Sequence, residues 1–337
     1  MAKLSARTGN LEGRLVSGDL ELLTSSDSNP MPAPFSHDII CFMSLQYIVV
    51  DFLRPFGCGV RVDTPSTATS FTILFITSKS SNNITKMPAE GVYINESGKK
   101  IVIPLENNPE VFTSLAHDLG LSSELGFYDV FSIDDPDLLA IIPRPVYALI
   151  FITPPEQYNK VRAADKTPLV KDGLTYAGKG EDEPVVWFEQ TIGNACGLYA
   201  LIHSVANGDA RSYIRPDSLI DKIIKEATPL SPVPRARVLY DSDELEEFHM
   251  RAARTGDSAT PAASDFVELH FIAFTKGRDG HLWELEGATD GPVDRGQLEE
   301  GEDMLSEKAL RKGVRKFIEF AEGNPNFSIV ALAKRQD

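Results

Sequence analysis

Cys196 stands at the start of a predicted helix, where its thiol could act as a nucleophile. Asn194 and Ala195 can begin the helix, apolar residues then recur at helical spacing, and Asn207-Gly208 is an ordinary C-terminal stop. Unpaired backbone N–H groups and the positive end of the helix dipole favour a thiolate at this position. The same N–H groups can hold an oxyanion, so the segment predicts nucleophilic catalysis.

Gln190 lies six residues before Cys196, on the chain that enters the helix. Its side-chain NH2 is uncharged, so it can donate to the oxyanion without competing for the proton of a catalytic base. A free cysteine on a helix is more often a small buried core residue. The spacing to Gln190, together with a second segment, favours catalysis here.

The second segment predicts a β-hairpin. Two apolar, β-prone runs, at 267–275 and 281–287, flank a glycine-rich turn at 276–280. The first run contains His270 and the second contains Glu286. A carboxylate beside an imidazole is the orienting pair that a cysteine–histidine enzyme requires.

The register of this hairpin decides whether the two side chains meet. With a five-residue loop, Thr275 faces His281, and counting back along the antiparallel ladder places His270 directly opposite Glu286. A four-residue loop would instead send Glu286 to the other face of the sheet.

Two other histidines are predicted to serve the structure rather than the chemistry. His203 lies two helical turns after Cys196, about 10 Å away, which is too far for proton transfer. We expect it to be a core histidine with a backbone partner. His281 is offset from Glu286 by an odd number of residues and therefore faces the opposite side.

These motifs resemble those of the ubiquitin C-terminal hydrolases, a family of cysteine peptidases. The family's patterns are a glutamine six residues before the cysteine, then Leu-His-Phe-Ile, then Gly-His-Leu, an aromatic residue and Glu-Leu-Asp-Gly. This chain matches them except for Glu286, which stands in place of the Asp. The resemblance extends from about Gly91 to Ala333. It includes four shorter matches, at 105–111, 127–130, 143–145 and 230–232.

The resemblance implies a role for each candidate site residue. Cys196 would be the nucleophile, His270 the general base and then acid, Gln190 the oxyanion donor, and Glu286 the acidic third member. The family has Asp at the position of Glu286. If the longer side chain fails to orient His270, the alternative is a ubiquitin-binding homologue with weak or no turnover. Glu284 or a backbone carbonyl is then the next candidate for the third member.

The resemblance also implies a fold and a partner. The fold would be a single papain-like domain with a central sheet, helices on both faces and a knotted backbone. Glu106, Glu110 and Asp129 match positions that face the basic surface of ubiquitin, and no metal or organic cofactor is implied. Residues 251–264 would form the loop that crosses the catalytic cleft. They lack apolar anchors, so we expect a mobile loop that admits small adducts and short peptides.

Composition restricts the partners and the compartment. The formal net charge of −16 and the pI of about 4.9 disfavour nucleic acid and anionic membranes, and they suit a basic ligand such as ubiquitin. There is no run of about 18 apolar residues. Three cysteines without CxxC spacing indicate a reducing compartment, the cytosol or the nucleus. We expect a monomer.

The chain divides near residue 87. Residues 1–86 contain seven Lys or Arg and seven Asp or Glu, so the whole net charge belongs to residues 87–337. Apart from Ile39–Val50 and Phe71–Ile76, the first segment has no sustained pattern, and we predict a low-complexity, disordered extension or a mis-translated leader.

The second segment alternates between helix and strand patterns. Helices are predicted at 110–119, 156–163, 216–227, 242–253 and 310–321, and strands at 100–104, 126–131, 146–152 and 327–333, besides the hairpin. This order predicts an α/β or α+β domain with helices on both faces of a sheet.

Overall fold

The computed structural model describes residues 91–261, 263, 269–321 and 323–336. The extension predicted for residues 1–86, with its two apolar runs, lies outside the described residues, as do Cys41 and Cys58. The boundary at residue 87 therefore stays a prediction.

The described residues form eight strands and nine helices. The strands are β1 (Tyr93–Ile94), β2 (Lys100–Ile101), β3 (Leu125–Asp129), β4 (Val146–Thr153), β5 (His270–Lys276), β6 (His281–Leu285), β7 (Val293–Gln297) and β8 (Ser328–Lys334). The helices are α1 (Pro109–Leu119), α2 (Pro136–Ala140), α3 (Pro155–Asp165), α4 (Cys196–Ala206), α5 (Leu219–Ala227), α6 (Pro232–Tyr240), α7 (Asp243–Ala252), α8 (Glu307–Lys312) and α9 (Val314–Glu319). Most predicted elements are confirmed with small shifts at their ends.

Six strands form one central sheet in the order β3-β8-β4-β5-β6-β7. Every neighbouring pair in it is antiparallel, which favours the α+β form of the predicted class. The apolar run of β4 predicted a strand buried on both faces, and β4 is central and almost wholly buried. Burial alone does not reveal strand direction, which the sequence left open. The knot implied by the resemblance remains a prediction.

Helices cover both faces of this sheet, as predicted. Ala148, Ile150 and Ile152 of β4 pack into a core with α1, α4, α5 and α7. Leu149 and Phe151, on the alternate positions, pack into a second core with α3, α8 and α9. All eleven residues of α4 are buried, so the helix that begins at Cys196 is surrounded by protein.

One predicted helix is divided in the structure, and α2, α6, β1 and β7 were not predicted from the sequence. The helix predicted at 310–321 is divided into α8 and α9 at Gly313, whose φ of −101° and ψ of −112° are not helical. The apolar spacing continues through the break, so the pattern could not show it. Helix α6 was overlooked because its buried stripe contains a charged residue, Arg235, which pairs with Glu183.

Candidate active site

Cys196 is the first residue of α4, at the position where backbone N–H groups lack helical partners. The loop before it is held by β2, since Val102 N–H donates to Gly193 O at 3.1 Å and Gly193 N–H donates to Lys100 O at 2.8 Å. Asn194 adopts the left-handed region with a φ of +59°, and its Nδ2 donates to Ala263 O at 2.9 Å. The thiol is thereby presented at the helix N-terminus with 7% of the residue exposed.

Gln190 is tied to the chain segment that follows the hairpin. Its backbone N–H donates to Gly287 O at 2.8 Å, and its Nε2 donates to Ile192 O at 3.0 Å. A Cβ on Gly287 would lie 2.5 Å from Cβ of Gln190, so this close approach requires glycine. An amide NH2 has two hydrogens, which leaves one for an oxyanion.

The hairpin that carries His270 forms, but the predicted register is wrong by two residues. Thr275 pairs with Trp283 instead of His281. Because the side-chain period is two, this shift leaves every side chain on its expected face. Glu286 is therefore a diagonal neighbour of His270 on the same face, and the two are not directly opposite.

The tighter turn explains the shift. Gly277 N–H donates to His281 O at 2.8 Å, and Gly280 N–H donates to Gly277 O at 3.0 Å. Gly280 takes a φ of +78°, which a glycine adopts without strain. The loop therefore closes with three residues, where five were predicted.

The structure brings the predicted nucleophile, base and acid together. The side chain of His270 interacts with Cys196, and its Nε2 lies 3.1 Å from Oε1 of Glu286. The ring nitrogen left for Cys196 is then Nδ1. The Glu286 side chain is 1% exposed, and its carbonyl oxygen accepts from Trp187 Nε1 at 2.9 Å. The longer carboxylate thus reaches the imidazole.

The environment of His270 favours its charged form. Burial would lower the pKa of His270, but its close contacts with Cys196 and Glu286, and the negative charge of both, outweigh this effect and raise the pKa to about 10. An imidazolium beside a cysteine stabilises the thiolate, which is the nucleophilic form.

Glu284, the other candidate for the third member, is directed elsewhere. Its Oε1 accepts from the hydroxyl of Tyr158 at 3.1 Å, and its Oε2 accepts from Nε of Arg295 at 2.8 Å. The ring of Tyr158 lies against His270, with 5.4 Å between centroids. The sequence did not indicate Tyr158 and Arg295, because nothing in the residue pattern of α3 or β7 shows that these elements pack against the site.

His203 and His281 have the structural roles predicted for them. His203 is 1% exposed, and its Nε2 accepts from Phe188 N–H at 3.0 Å. Burial lowers the pKa of His203 to about 3, although backbone hydrogen bonds oppose the shift. His281 Nδ1 lies 2.9 Å from Asp294 at the edge of the sheet.

Glu106, predicted to face ubiquitin, is engaged within the protein. Its carboxylate accepts from Asp257 N–H at 3.1 Å and Ser258 N–H at 2.8 Å. Burial would raise the pKa of Glu106, but these hydrogen bonds lower it below its usual range. The segment after α7 thus has a polar anchor here. The prediction that it lacks apolar anchors is wrong, because Ala253 and Ala263 are buried in the core.

Glu110 and Asp129, the other two predicted ubiquitin contacts, are exposed. Glu110 lies in the first turn of α1 and Asp129 ends β3. The two elements pack together through Phe112 and Phe127, whose ring centroids are 5.5 Å apart. Burial raises the pKa of Asp129.

The described part of the chain contains neither a metal-binding cluster nor a membrane-spanning helix. No group of three or more His, Cys, Asp or Glu side chains there is arranged to bind a metal ion. None of the helices described is long and apolar enough to cross a bilayer.

Known proteins are similar to this chain in both sequence and fold. Residues 102–319 match the family model "Ubiquitin carboxyl-terminal hydrolase, family 1". Ubiquitin carboxyl-terminal hydrolase YUH1 of Saccharomyces cerevisiae is 31% identical over 69% of this chain and 96% of its own length. Ubiquitin carboxyl-terminal hydrolase isozyme L1 of Rattus norvegicus is 33% identical over 68% of this chain and 97% of its own.

A solved structure supports the fold independently. The catalytic domain of Trichinella spiralis UCH37, bound to ubiquitin vinyl methyl ester, superposes with a TM-score of 0.51. It is 19% identical and covers 69% of this chain and 95% of its own, so the similarity concerns the fold alone. The chain belongs to the ubiquitin carboxyl-terminal hydrolases of family 1.

Proposed function

We propose that this thiol-dependent ubiquitinyl hydrolase cleaves the bond after the C-terminal glycine of ubiquitin, with Cys196 as its nucleophile. One observation carries the proposal: the thiol at the start of α4 interacts with His270, and Nε2 of that imidazole lies 3.1 Å from Oε1 of Glu286. These are the parts of a cysteine–histidine–acid centre.

The first half of the reaction forms a thioester. The thiolate attacks the carbonyl carbon of the glycine, and the electron pair of the C=O bond moves to oxygen. This oxyanion accepts hydrogen bonds from the free amide hydrogen of Gln190 and from a backbone N–H at the start of α4. The C–N bond then breaks, and protonated His270 gives its proton to the leaving amine.

The second half releases ubiquitin. Neutral His270 takes a proton from water while the water oxygen attacks the thioester carbonyl. The C–S bond breaks, the carboxyl group of ubiquitin is released, and the thiolate and imidazolium are restored. The carboxylate of Glu286 stabilises the imidazolium whenever the ring is protonated. Its contact with His270 favours turnover over the alternative of binding without hydrolysis.

Charge supports ubiquitin as the ligand. The carboxylates of Glu110 and Asp129 are exposed on neighbouring elements, and the chain has a formal net charge of −16. Ubiquitin has arginines in its C-terminal tail, and an acidic surface attracts such a ligand at long range. We assign these two residues to ubiquitin binding. Glu106 we assign to holding the segment after α7.

The segment after α7 supports a preference for small leaving groups. It is tied to Glu106 at residues 257 and 258 and to Asn194, beside the nucleophile, through Ala263. A short tether with fixed ends opens little, so small adducts and short peptides pass more easily than folded proteins. Ten Gly/Ser residues inserted between Ala259 and Thr260 should raise cleavage of folded conjugates more than cleavage of a small fluorescent adduct. Equal effects on both would contradict this preference.

The chemistry also agrees with a reducing compartment. Cys196 is unpaired, and an active-site thiolate must stay reduced to react. We place the protein in the cytosol or the nucleus.

The nucleophile is tested by turnover of ubiquitin bearing a C-terminal fluorophore. Cys196→Ala should lower kcat to less than about 1% of wild type, because losing an activated nucleophile costs orders of magnitude. Binding of free ubiquitin should be unchanged. Retained turnover in a clean Cys196→Ala preparation would remove Cys196 from this role.

A further inference from the structure

The contact between His270 and Glu286 fixes a distance but not a direction. Nε2 and Oε1 are 3.1 Å apart. Neither carboxylate oxygen, however, has a well-aligned hydrogen-bond donor among the described residues. A weakly directional contact lets the imidazole rotate. His270 must nevertheless present one nitrogen to Cys196 and the other to Glu286, so another group has to fix the plane of its ring.

Tyr158 of α3 is placed to do this. Its ring is 5.4 Å from the His270 ring between centroids, at an interplanar angle of 45°. It also stacks on Phe317 of α9, with centroids 5.8 Å apart and an angle of 8°. Tyr158 is only 4% exposed, so its ring is confined by packing and limits the rotation of the imidazole.

The hydroxyl of Tyr158 is anchored by a buried charge. It donates to Oε1 of Glu284 at 3.1 Å, and Nε of Arg295 donates to Oε2 of the same carboxylate at 2.8 Å. Arg295 also pairs with Asp165, the last residue of α3. The guanidinium therefore connects both the tyrosine anchor and the end of the tyrosine's own helix.

Anchoring the hydroxyl of Tyr158 requires two buried charges, which would not be needed if the ring served only to pack against its neighbours. The side chains of Glu284 and Arg295 are 1% and 9% exposed, and burying charges is expensive even when they are paired. A phenylalanine at position 158 would fill the same space against Phe317 without them. What the hydroxyl adds is a fixed direction for the ring.

We propose that Tyr158 is a positioning residue that holds the imidazole plane of His270, with Glu284 and Arg295 as its anchor. The proposal rests on the roles proposed for Cys196 and His270. It places part of the control of the base on α3 and β7, outside the segments that carry the catalytic motifs.

The test compares two substitutions of Tyr158 with one matched control. Tyr158→Leu removes the ring, and Tyr158→Phe keeps the ring but removes its anchor. Tyr147→Leu is the control, because Tyr147 is also in a ring pair, with Tyr213 at 5.5 Å, at the opposite end of β4 from the residue that pairs with His270.

Turnover of fluorogenic ubiquitin should separate orientation from stability. Misplacing a catalytic group slightly can cost up to about a hundredfold, so we expect kcat to fall about tenfold in Tyr158→Leu and about threefold in Tyr158→Phe. KM should stay within about twofold, because substrate binding is untouched. The thiolate absorbance of Cys196, followed against pH, should shift in Tyr158→Leu and not in Tyr147→Leu.

Each outcome decides the proposal. A folded Tyr158→Leu protein with the kcat of Tyr147→Leu would overturn it. If Tyr158→Leu does not fold, Tyr158→Phe decides: a lower kcat at unchanged KM supports the proposal, and an unchanged kcat overturns it. Full turnover by Cys196→Ala would be a failure of the proposed catalytic roles, which is a separate result.

Discussion

The two halves of the active site are held in place by different means. The nucleophile segment, residues 190–196, is fixed mainly by backbone hydrogen bonds, which tie Gly193 to β2 and Gln190 to Gly287. The ring of His270 is placed by side chains from three other elements. Backbone hydrogen bonds are directional, so the nucleophile is fixed by the path of the chain, while the orientation of the base depends on packing and charge. Substitutions in the nucleophile segment should abolish turnover. Substitutions around His270 should lower turnover by graded amounts.

The oxyanion donor should give the largest effect on the nucleophile side. Gln190→Ala removes the free amide hydrogen, and the loss of one such donor costs about a hundredfold or more in kcat. KM for fluorogenic ubiquitin should change little. Gln297→Ala, at a glutamine of β7 that donates to the backbone, is the control and should be silent. A loss of less than about tenfold in Gln190→Ala would mean that backbone N–H groups alone hold the oxyanion.

The acidic member should give a smaller, graded effect. Glu286→Gln should lower kcat about tenfold or more, because a neutral amide stabilises the imidazolium poorly. Glu286→Asp should be near neutral or improved. Asp294→Asn is the matched control, since Asp294 pairs with His281 away from the site, and it should leave kcat unchanged. A silent Glu286→Gln would indicate that packing alone orients the base.

The pH dependence should report the same pair of residues. The pKa of His270 is raised to about 10, so kcat/KM should fall as the pH rises through that value and the ring loses its proton. The close contact and the charge of Glu286 contribute to the raised pKa of His270, so Glu286→Gln should move this alkaline limb to lower pH. An unmoved limb would contradict the assignment.

The raised pKa of His270 also determines how the stability of the fold depends on pH. A raised pKa means that the folded state binds the proton more tightly than the unfolded chain. The stabilisation by protonated His270 is complete below its ordinary pKa of 6.5 and is lost as the pH rises through about 10. Denaturant unfolding of wild type and Glu286→Gln should therefore differ most just below pH 6.5 and converge as the pH rises through about 10.

Removing the first segment should have the smallest effect. A protein that starts at Met87 should keep its thermal midpoint and its kcat within error, because residues 1–86 lack the patterned apolar surface that would anchor them to a core. Differential scanning calorimetry with the activity assay measures both. A drop of several degrees would show that Ile39–Val50 packs against the domain.

The sequence predicted the nucleophile segment better than the surroundings of His270. Cys196 and Gln190 belong to one short segment, and helix capping and spacing predict their geometry from local rules. His270 and Glu286 were placed on the correct face because a two-residue slip preserves the side-chain period, although the turn was wrong. Tyr158 and Arg295 reach the site through tertiary packing, which has no signal in the periodicity of α3 or β7.

The elements that were missed have equally specific causes. Arg235 is fully buried in α6 and paired with Glu183, so its charge conceals the apolar stripe of that helix. Gly313 divides α8 from α9 without interrupting the apolar spacing. Glu106 reads as a surface acid in the sequence, and its contact with residues 257 and 258 depends on a loop more than a hundred residues away.

Mapping the site of a covalent ubiquitin adduct tests directly whether Cys196, alone of the three cysteines, is the nucleophile. Ubiquitin vinyl methyl ester traps a reactive thiolate by addition to its vinyl group, and peptide mapping then identifies the modified cysteine. We expect one adduct per chain, at Cys196, and none in Cys196→Ser. An adduct on Cys41 or Cys58, or undiminished labelling of Cys196→Ser, would contradict it.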